Sequence, residues 1–584
     1  MSTPPARISP ARPEIVTERF QPRRPAWFEL ASSGDHKALG ALYLGAACSF
    51  LVLAVVELVL MRVQLIVPES TIISPEIFDQ LMSTYGATAV VLFGIPLALG
   101  LISYIVPLEI GARGTVFPRL GALSFWLYLA GGITLYASYL YRPPDAGTNP
   151  LPPLSDTVFS PTAGADAWIA GVGLAVLGFV LFAINMLATL YRRRAPGMVW
   201  RRMPPFAWSA ALIGYVLVVA GSVMFAACTM LMIDRQFDGV FFDPGEGGSP
   251  ILWQHLSWFF FTGAYVVVLL FAFGTISEIL PVFSRKPVFG HRAIAASLAA
   301  VAPLGLLAWM HNMYSAPIPV GWEYFAMAAA LALTIPIGVL LFNWIGTLWD
   351  GVLHLRAPLL FALGAISTTT FGLAGELMSS VIPIGWQLDH TTTAQADTYY
   401  VLVGGSVFGG FAALYYWFPK ITGRRMGEGL AGGSFWALLV GVHAMAIGMI
   451  FAGLEGQPVD VYKFYEGEGL AAYNLIASIG SFVLALGVLL TLANAAYSAR
   501  HGVETGADPW RGSTLEWFAL SPPPPHNFDV IPDVRSAEPL RDIREFVRRR
   551  TETWEPPRPV ERREPEPAAN PAKADAGASE QDSR

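Results

Sequence analysis

Charge is what this chain has least of. Only 14% of its 584 residues are Asp, Glu, Lys or Arg, while 54% are hydrophobic. Ordinary soluble proteins carry roughly 25% charged residues, so a soluble enzyme is excluded by composition. Cysteine is nearly missing as well. Cys48 and Cys228 both sit inside apolar runs, which rules out a disulfide framework or a cysteine-based zinc site and leaves them as small hydrophobes. No basic repeat is present and the net charge is −6, so the electrostatic footprint of a nucleic-acid partner is absent. The first 37 residues hold no apolar core of the kind a secretory signal needs.

What the chain does have is long apolar stretches. Twelve of them reach the ~20 residues that a bilayer requires: 38–64, 83–107, 119–141, 167–191, 206–233, 252–280, 293–315, 320–347, 358–383, 393–418, 433–454 and 470–497. The partner they imply is the lipid bilayer, and the expected fold is an all-α bundle of twelve transmembrane helices. Three regions follow: an N-terminal tail over 1–37, a membrane domain over 38–497 and a C-terminal tail over 498–584. The last of these is expected to be disordered beyond about 548, where apolar residues are too few to offset ordering entropy.

The connectors sort by charge. Those after even-numbered spans hold Arg113, Arg192, Arg193, Arg194, Arg201, Arg202, Arg285, Lys286, Arg292, Lys420, Arg424 and Arg425. The others are acidic, with Glu69, Glu76, Asp79, Asp145, Asp156, Asp234, Asp238, Asp243, Glu246 and Glu466. Excess Lys and Arg marks the cytoplasmic side, so both termini are expected there.

Several strings are more specific than composition. "DHKALGALYL" at Asp35, "LMRVQLIVPES" at Leu60, "VPLEIGARGTVFPRLGALSFWLY" at Val106 and "WQHLSWFF" at Trp253 come first. "ISEILPVFSRKPVFG" at Ile276, "YYWFPKITGRR" at Tyr415 and "LEWFALSPPPPHNF" at Leu515 follow. In this order they resemble subunit I of the haem-copper oxidases over nearly the whole chain. The resemblance implies a twelve-helix bundle enclosing a low-spin haem and a high-spin haem paired with copper.

The residues that would hold those groups are replaced. Where the family has a low-spin haem His on the second helix, "STYGAT" places Tyr85. The sixth-helix Gly-His-Pro-Glu-Val-Tyr becomes Phe261, Thr262, Gly263, Ala264, Tyr265 and Val266. The His-His pair of the seventh helix keeps His311 but has Asn312, so two of three copper ligands are gone. On the tenth helix, a gap-free match turns His-Phe-His-Tyr into Asp397, Thr398, Tyr399 and Tyr400. Matching "ADTYY" to the family's His-Asp-Thr-Tyr-Tyr instead needs a deletion inside a membrane helix, and it too removes every haem-ligating histidine. Val459 and Asp460 stand where paired arginines hold haem propionates, and Gly114, Ala264 and Leu340 where the family's proton-route residues stand. Arg62 and His255 remain at family positions.

These replacements lead to a reading of no cofactor, no haem and no metal, and of a pseudoenzyme: a structural or regulatory subunit of a respiratory-type membrane complex. Tyr85 and Tyr399 are expected to fill vacated haem volume with their hydroxyls bonded to each other or to backbone. His311, Asp397, Thr262 and Asn312 are expected to form a polar remnant, since intramembrane ionisable groups are functional candidates. A mixed site with Met310 and Met313 is disfavoured because these point to other helix faces than His311. Glu57, Glu278 and Glu376 are expected to snorkel or bond to neighbours, and His443 with Met445 gives only a faint signal. By resemblance the partners would be subunit II-like or III-like proteins in a bacterial cell membrane. Two rivals stand beside this reading. One is a cytochrome c oxidase-type enzyme with unorthodox ligation. The other is a conduit for protons, ions or small solutes lined by Asp397 and His311, which leucines such as Leu340 would plug.

Overall fold

The computed structural model describes residues 33–147 and 149–552, without the side chains of 550–552. Its twelve long apolar helices are α1 (His36–Gln64), α2 (Pro75–Glu109), α3 (Pro118–Leu140), α4 (Ala163–Arg192), α5 (Pro205–Phe237) and α6 (Pro250–Ser284). They continue as α7 (His291–Met313), α8 (Val320–Leu348), α9 (Ala357–Ser379), α10 (Thr392–Thr422), α11 (Glu428–Leu454) and α12 (Ala471–His501). All twelve expected spans are present. The largest displaced end is that of α2, which begins at Pro75 because Ser74 caps it: its Oγ accepts from the Ile77 N–H at 3.4 Å. A proline in the first turn is compatible with that start.

Neighbours in sequence pack as neighbours in space, α3 on α4, α4 on α5, α5 on α6 and α11 on α12. Small residues let the last pair close. A Cβ added at Gly448 of α11 would come within 2.6 Å of the Tyr473 carbonyl oxygen, and one at Gly480 of α12 would strike the α11 backbone. In lipid, such close approach supplies the attraction that water supplies elsewhere. The core lies around α2, α6 and α10, whose apolar stretches are 94%, 94% and 89% buried. Two of these three carry a π-helical stretch, Thr88–Gly94 in α2 and Val403–Phe408 in α10.

The chain beyond α12 folds back under the bundle. The Trp510 indole N–H donates to the Tyr416 carbonyl at 2.8 Å, and that of Trp517 to the Tyr416 hydroxyl at 3.0 Å. Lys420 Nζ donates to the Ala519 carbonyl at 2.7 Å, and Asn527 Nδ2 to that of Ala112 at 2.8 Å. A further helix, α13 (Pro539–Glu552), runs past 548, where disorder was expected to begin. Its acidic first turn holds Asp542, and Arg541 pairs with Glu538 at 3.0 Å, so local charge order sustains it. The remainder of that expected tail, like residues 1–32 of the N-terminal one, lies outside the described residues.

Under the bundle, carboxylate oxygens of Glu109, Glu278 and Glu516 lie within 4.8 Å of one another, all three buried. Glu278 therefore does not snorkel. It faces inward on a helix that is buried all round, and the C-terminal segment seals it from the interface. Removal from water pushes the Glu516 carboxyl up to about 7, against a hydrogen bond from the Thr514 hydroxyl at 2.7 Å. The folded chain thus holds a proton that the unfolded chain releases near the ordinary glutamate value of about 4.3. The stabilisation is complete below that value and is lost as pH rises through about 7. In neutral detergent the apparent Tm is expected to fall between about pH 5 and about pH 8, and Glu516→Gln to flatten the fall. Thermal scans of tryptophan fluorescence check this.

Candidate functional site

The central helices do not close completely on one another. A cavity of about 650 Å³ opens between them toward the end of the bundle opposite the described chain ends. Helix α2 lines it with Tyr85, Gly86 and Ala89, α6 with Tyr265, and α7 with His311 and Asn312. Helix α9 adds Glu376, and α10 adds Asp397, Thr398 and Tyr399. Asp389, His390, Val459 and Asp460 border its mouth. The sequence-derived residues thus converge on one space. Thr262 stands one bond away, receiving Asn312 Nδ2 on its hydroxyl at 3.2 Å.

Tyr85 and Tyr399 each lie a few residues before the π-helical stretch of their helix. Their ring centroids are 6.0 Å apart and the ring planes are tilted by 47°, so the two phenols stand side by side on the cavity wall. Arg62 lies close to both and directs a guanidinium N–H at the Met449 sulfur at 2.8 Å.

His311 is held at both ring nitrogens. Nδ1 is 2.8 Å from the Ala308 carbonyl and Nε2 is 3.1 Å from Glu376 Oε2. A carbonyl and a carboxylate are both acceptors, so a neutral imidazole facing an ionised carboxylate would leave one contact without a proton. The pair is therefore either imidazolium with carboxylate or imidazole with carboxylic acid. Glu376 was expected to snorkel or bond to a neighbour, and it is the neighbour of His311. The signal available in the sequence was a lone carboxylate three residues before the end of α9. Asp397 is buried and has Oδ2 without a partner among the described residues. Glu57 is likewise drawn inward, accepting from the Tyr136 hydroxyl at 2.9 Å, because α3 offers a donor closer than the membrane surface.

Of the other candidates Met313 borders the cavity, whereas Met310, His255 and Leu340 do not. Met310 and Met313 are buried together with Tyr314, Ile318, Ala326 and Ile382. The chain tightens to a 3₁₀ turn over Trp309–Met313, where residues three apart eclipse. His255 accepts from the Trp309 indole at 3.4 Å. Leu340 is fully buried in the apolar core, which opposes a conduit along that route. At the mouth, the Ser315 hydroxyl is 2.8 Å from His390 Nε2 and the Ser315 N–H donates to Asp389 at 3.2 Å.

A family profile described as Cytochrome C and Quinol oxidase polypeptide I matches residues 38–483. The chain belongs to that family. The probable cytochrome c oxidase subunit 1-beta of Nocardia farcinica is 38% identical, over 93% of each chain. The cytochrome c oxidase subunit 1 of Bacillus subtilis is 36% identical, over 87% of this chain and 81% of its own. A solved structure of a heme-copper terminal oxidase dimer shares the fold, with a TM-score of 0.67 at 15% identity, covering 84% of this chain and 85% of that one.

Membership in the oxidase polypeptide I family corrects the expectation of a chain without cofactors. Its relatives are cytochrome c oxidase subunits, a class that carries haem and copper, so replaced histidines do not by themselves establish loss of those groups. The physical reason lies in the donors that remain. Around the cavity stand one imidazole, His311, the carboxylates of Glu376 and Asp397, and the phenols of Tyr85 and Tyr399. Oxygen and imidazole donors suit hard and borderline metal ions, tyrosine ligates haem iron in catalase, and all of these donors border one cavity of about 650 Å³.

The His311–Glu376 contact has a measurable consequence. Glu376→Ala leaves the partly buried His311 Nε2 without its partner and is expected to destabilise the protein by about 1–2 kcal/mol. In the double variant with His311→Ala the two losses should not add, leaving a coupling of about 1 kcal/mol or more. Apparent Tm in detergent for the four proteins of the cycle measures it.

Proposed function

We propose that this oxidase polypeptide I serves as a structural or regulatory subunit of a respiratory-type oxidase complex in a bacterial cell membrane. Both termini would face the cytoplasm, and subunit II-like or III-like proteins would be its neighbours. The observation that supports this most is the engagement of the positions matching the family's copper side with protein groups. Asn312 bonds to Thr262, and His311 is held between Ala308 and Glu376. Side chains satisfied in this way are positioned by one another rather than presented to oxygen. The acidic connectors and the tightly packed helices offer the surface and shape that neighbouring subunits would use.

A second reading keeps the established family chemistry. The chain would then be a haem-copper terminal oxidase subunit whose groups are held by His311, Glu376, Asp397 and the two tyrosines. The cavity of about 650 Å³ beside these donors favours it. Haem and copper, when bound, would supply electron transfer to oxygen. The chain's own residues would orient those groups and hold a proton between His311 Nε2 and Glu376 Oε2.

Purification in mild detergent with its copurifying neighbours separates the two readings. The expectation is a complex containing an oxidase-type partner, in which His311→Ala leaves cyanide-sensitive oxygen uptake unchanged. Uptake that depends on His311, together with a visible absorption spectrum altered by Tyr85→Phe or Tyr399→Phe, would establish the second reading instead.

A further inference from the structure

A second cavity, of about 600 Å³, lies between α9, α10 and α11 on the side of Asp397 that neither reading uses. Asp397 borders both cavities. The outer wall of this one is apolar and faces the bilayer: Phe371, Met378, Ile447 and Phe451 are each between 44% and 58% exposed. Its inner end is polar. The Tyr400 hydroxyl is 2.8 Å from His443 Nδ1, and Phe371 lies stacked on Tyr400 at 6.0 Å and edge-on to His443 at 5.2 Å. Asp397, 3% exposed, has Oδ2 without a partner among the described residues. Helix α9 comes so close at Gly375 that an added Cβ would collide with that carboxylate.

We propose that this cleft is a binding site for a neutral membrane-borne amphiphile with a hydroxyl head, entered sideways from the bilayer. The volume falls within the ~300–1,000 Å³ of small-molecule sites, and an apolar pocket with a few convergent polar groups is their usual form. A hydroxyl can donate to the Asp397 carboxylate and accept from a ring N–H of His443, which suits the polar end of the cleft. No Lys or Arg lines the cleft, so a phosphate or carboxylate head would face Asp397 without a counter-charge. An ammonium head could pair with Asp397, but it has only donors, so it would leave a His443 ring N–H without an acceptor and lose the rest of its hydration in a mouth built of Phe371, Ile447 and Phe451. The apolar tail leaves between those residues into lipid.

The test uses the full chain with its copurifying neighbours in nanodiscs. Photoreactive diazirine analogues of hexadecanol, palmitate and hexadecylamine are compared by peptide mapping. Hexadecanol is expected to label the peptides spanning Phe371–Met378 and Ile447–Phe451 about tenfold more than either charged analogue, a difference of about 1.4 kcal/mol. Asp397→Leu and Ala374→Trp should each reduce that labelling by a similar factor. Should Asp397→Leu fail to assemble, Ala374→Trp decides, since it fills the cleft while leaving its polar end intact. Equal labelling by all three heads, preference for a charged head, or hexadecanol labelling unchanged in Ala374→Trp would each overturn the proposal.

Discussion

Everything in this protein follows from the absence of water around its backbone. Inside a bilayer each N–H and C=O must be satisfied by the chain itself, which leaves helices as the spanning form. Helices so constrained gain nothing from hiding apolar surface from one another, because lipid is equally apolar. They associate where small residues allow backbones to touch, as at Gly441, Gly448 and Gly480. The same dryness governs the interior polar groups. An imidazole or carboxylate in this interior gains from a partner within the protein, and the contacts of His311 with Ala308 and Glu376, of Asn312 with Thr262 and of Glu57 with Tyr136 supply one, whereas Asp397 Oδ2 has none among the described residues.

The bundle was readable in the sequence because hydropathy reports bilayer thickness directly. Each span was visible as a run of apolar residues, and errors at the ends came from caps such as Ser74 and Pro75, which hydropathy does not register. The site was readable in part. Tyr85, Thr262, His311, Asn312, Asp397 and Tyr399 were singled out by resemblance, and the fold brings all but Thr262 to the wall of one cavity, with Thr262 bonded to Asn312. Glu376 was harder to place, because its importance depends on α9 and α7 meeting, a tertiary fact without a local pattern. The grouping of Glu109, Glu278 and Glu516 was hidden for the same reason: three segments far apart in sequence supply it.

Replaced ligands do not by themselves empty a site. Sequence comparison counts histidines, whereas a cavity is a matter of volume and of every donor that borders it. Between α2, α7, α9 and α10 the volume persists, bordered by imidazole, carboxylate and phenol oxygen. Ligand identity and cavity shape are separate properties of this fold, and one can change while the other is retained.

The π-helical stretches in α2 and α10 bear on how such a site can be rearranged. Each inserts the equivalent of one surplus residue below the tyrosine of its helix. In such a stretch the wider turn absorbs the surplus residue, so the two halves of the helix keep the facing they would have without it. Removing that one residue would return the stretch to ordinary winding and leave Tyr85 or Tyr399 directed as before, whereas the same deletion in an ordinary helical turn would rotate one half against the other by about 100°. The two stretches are thus the places where these helices tolerate a change of length without re-aiming the cavity side chains.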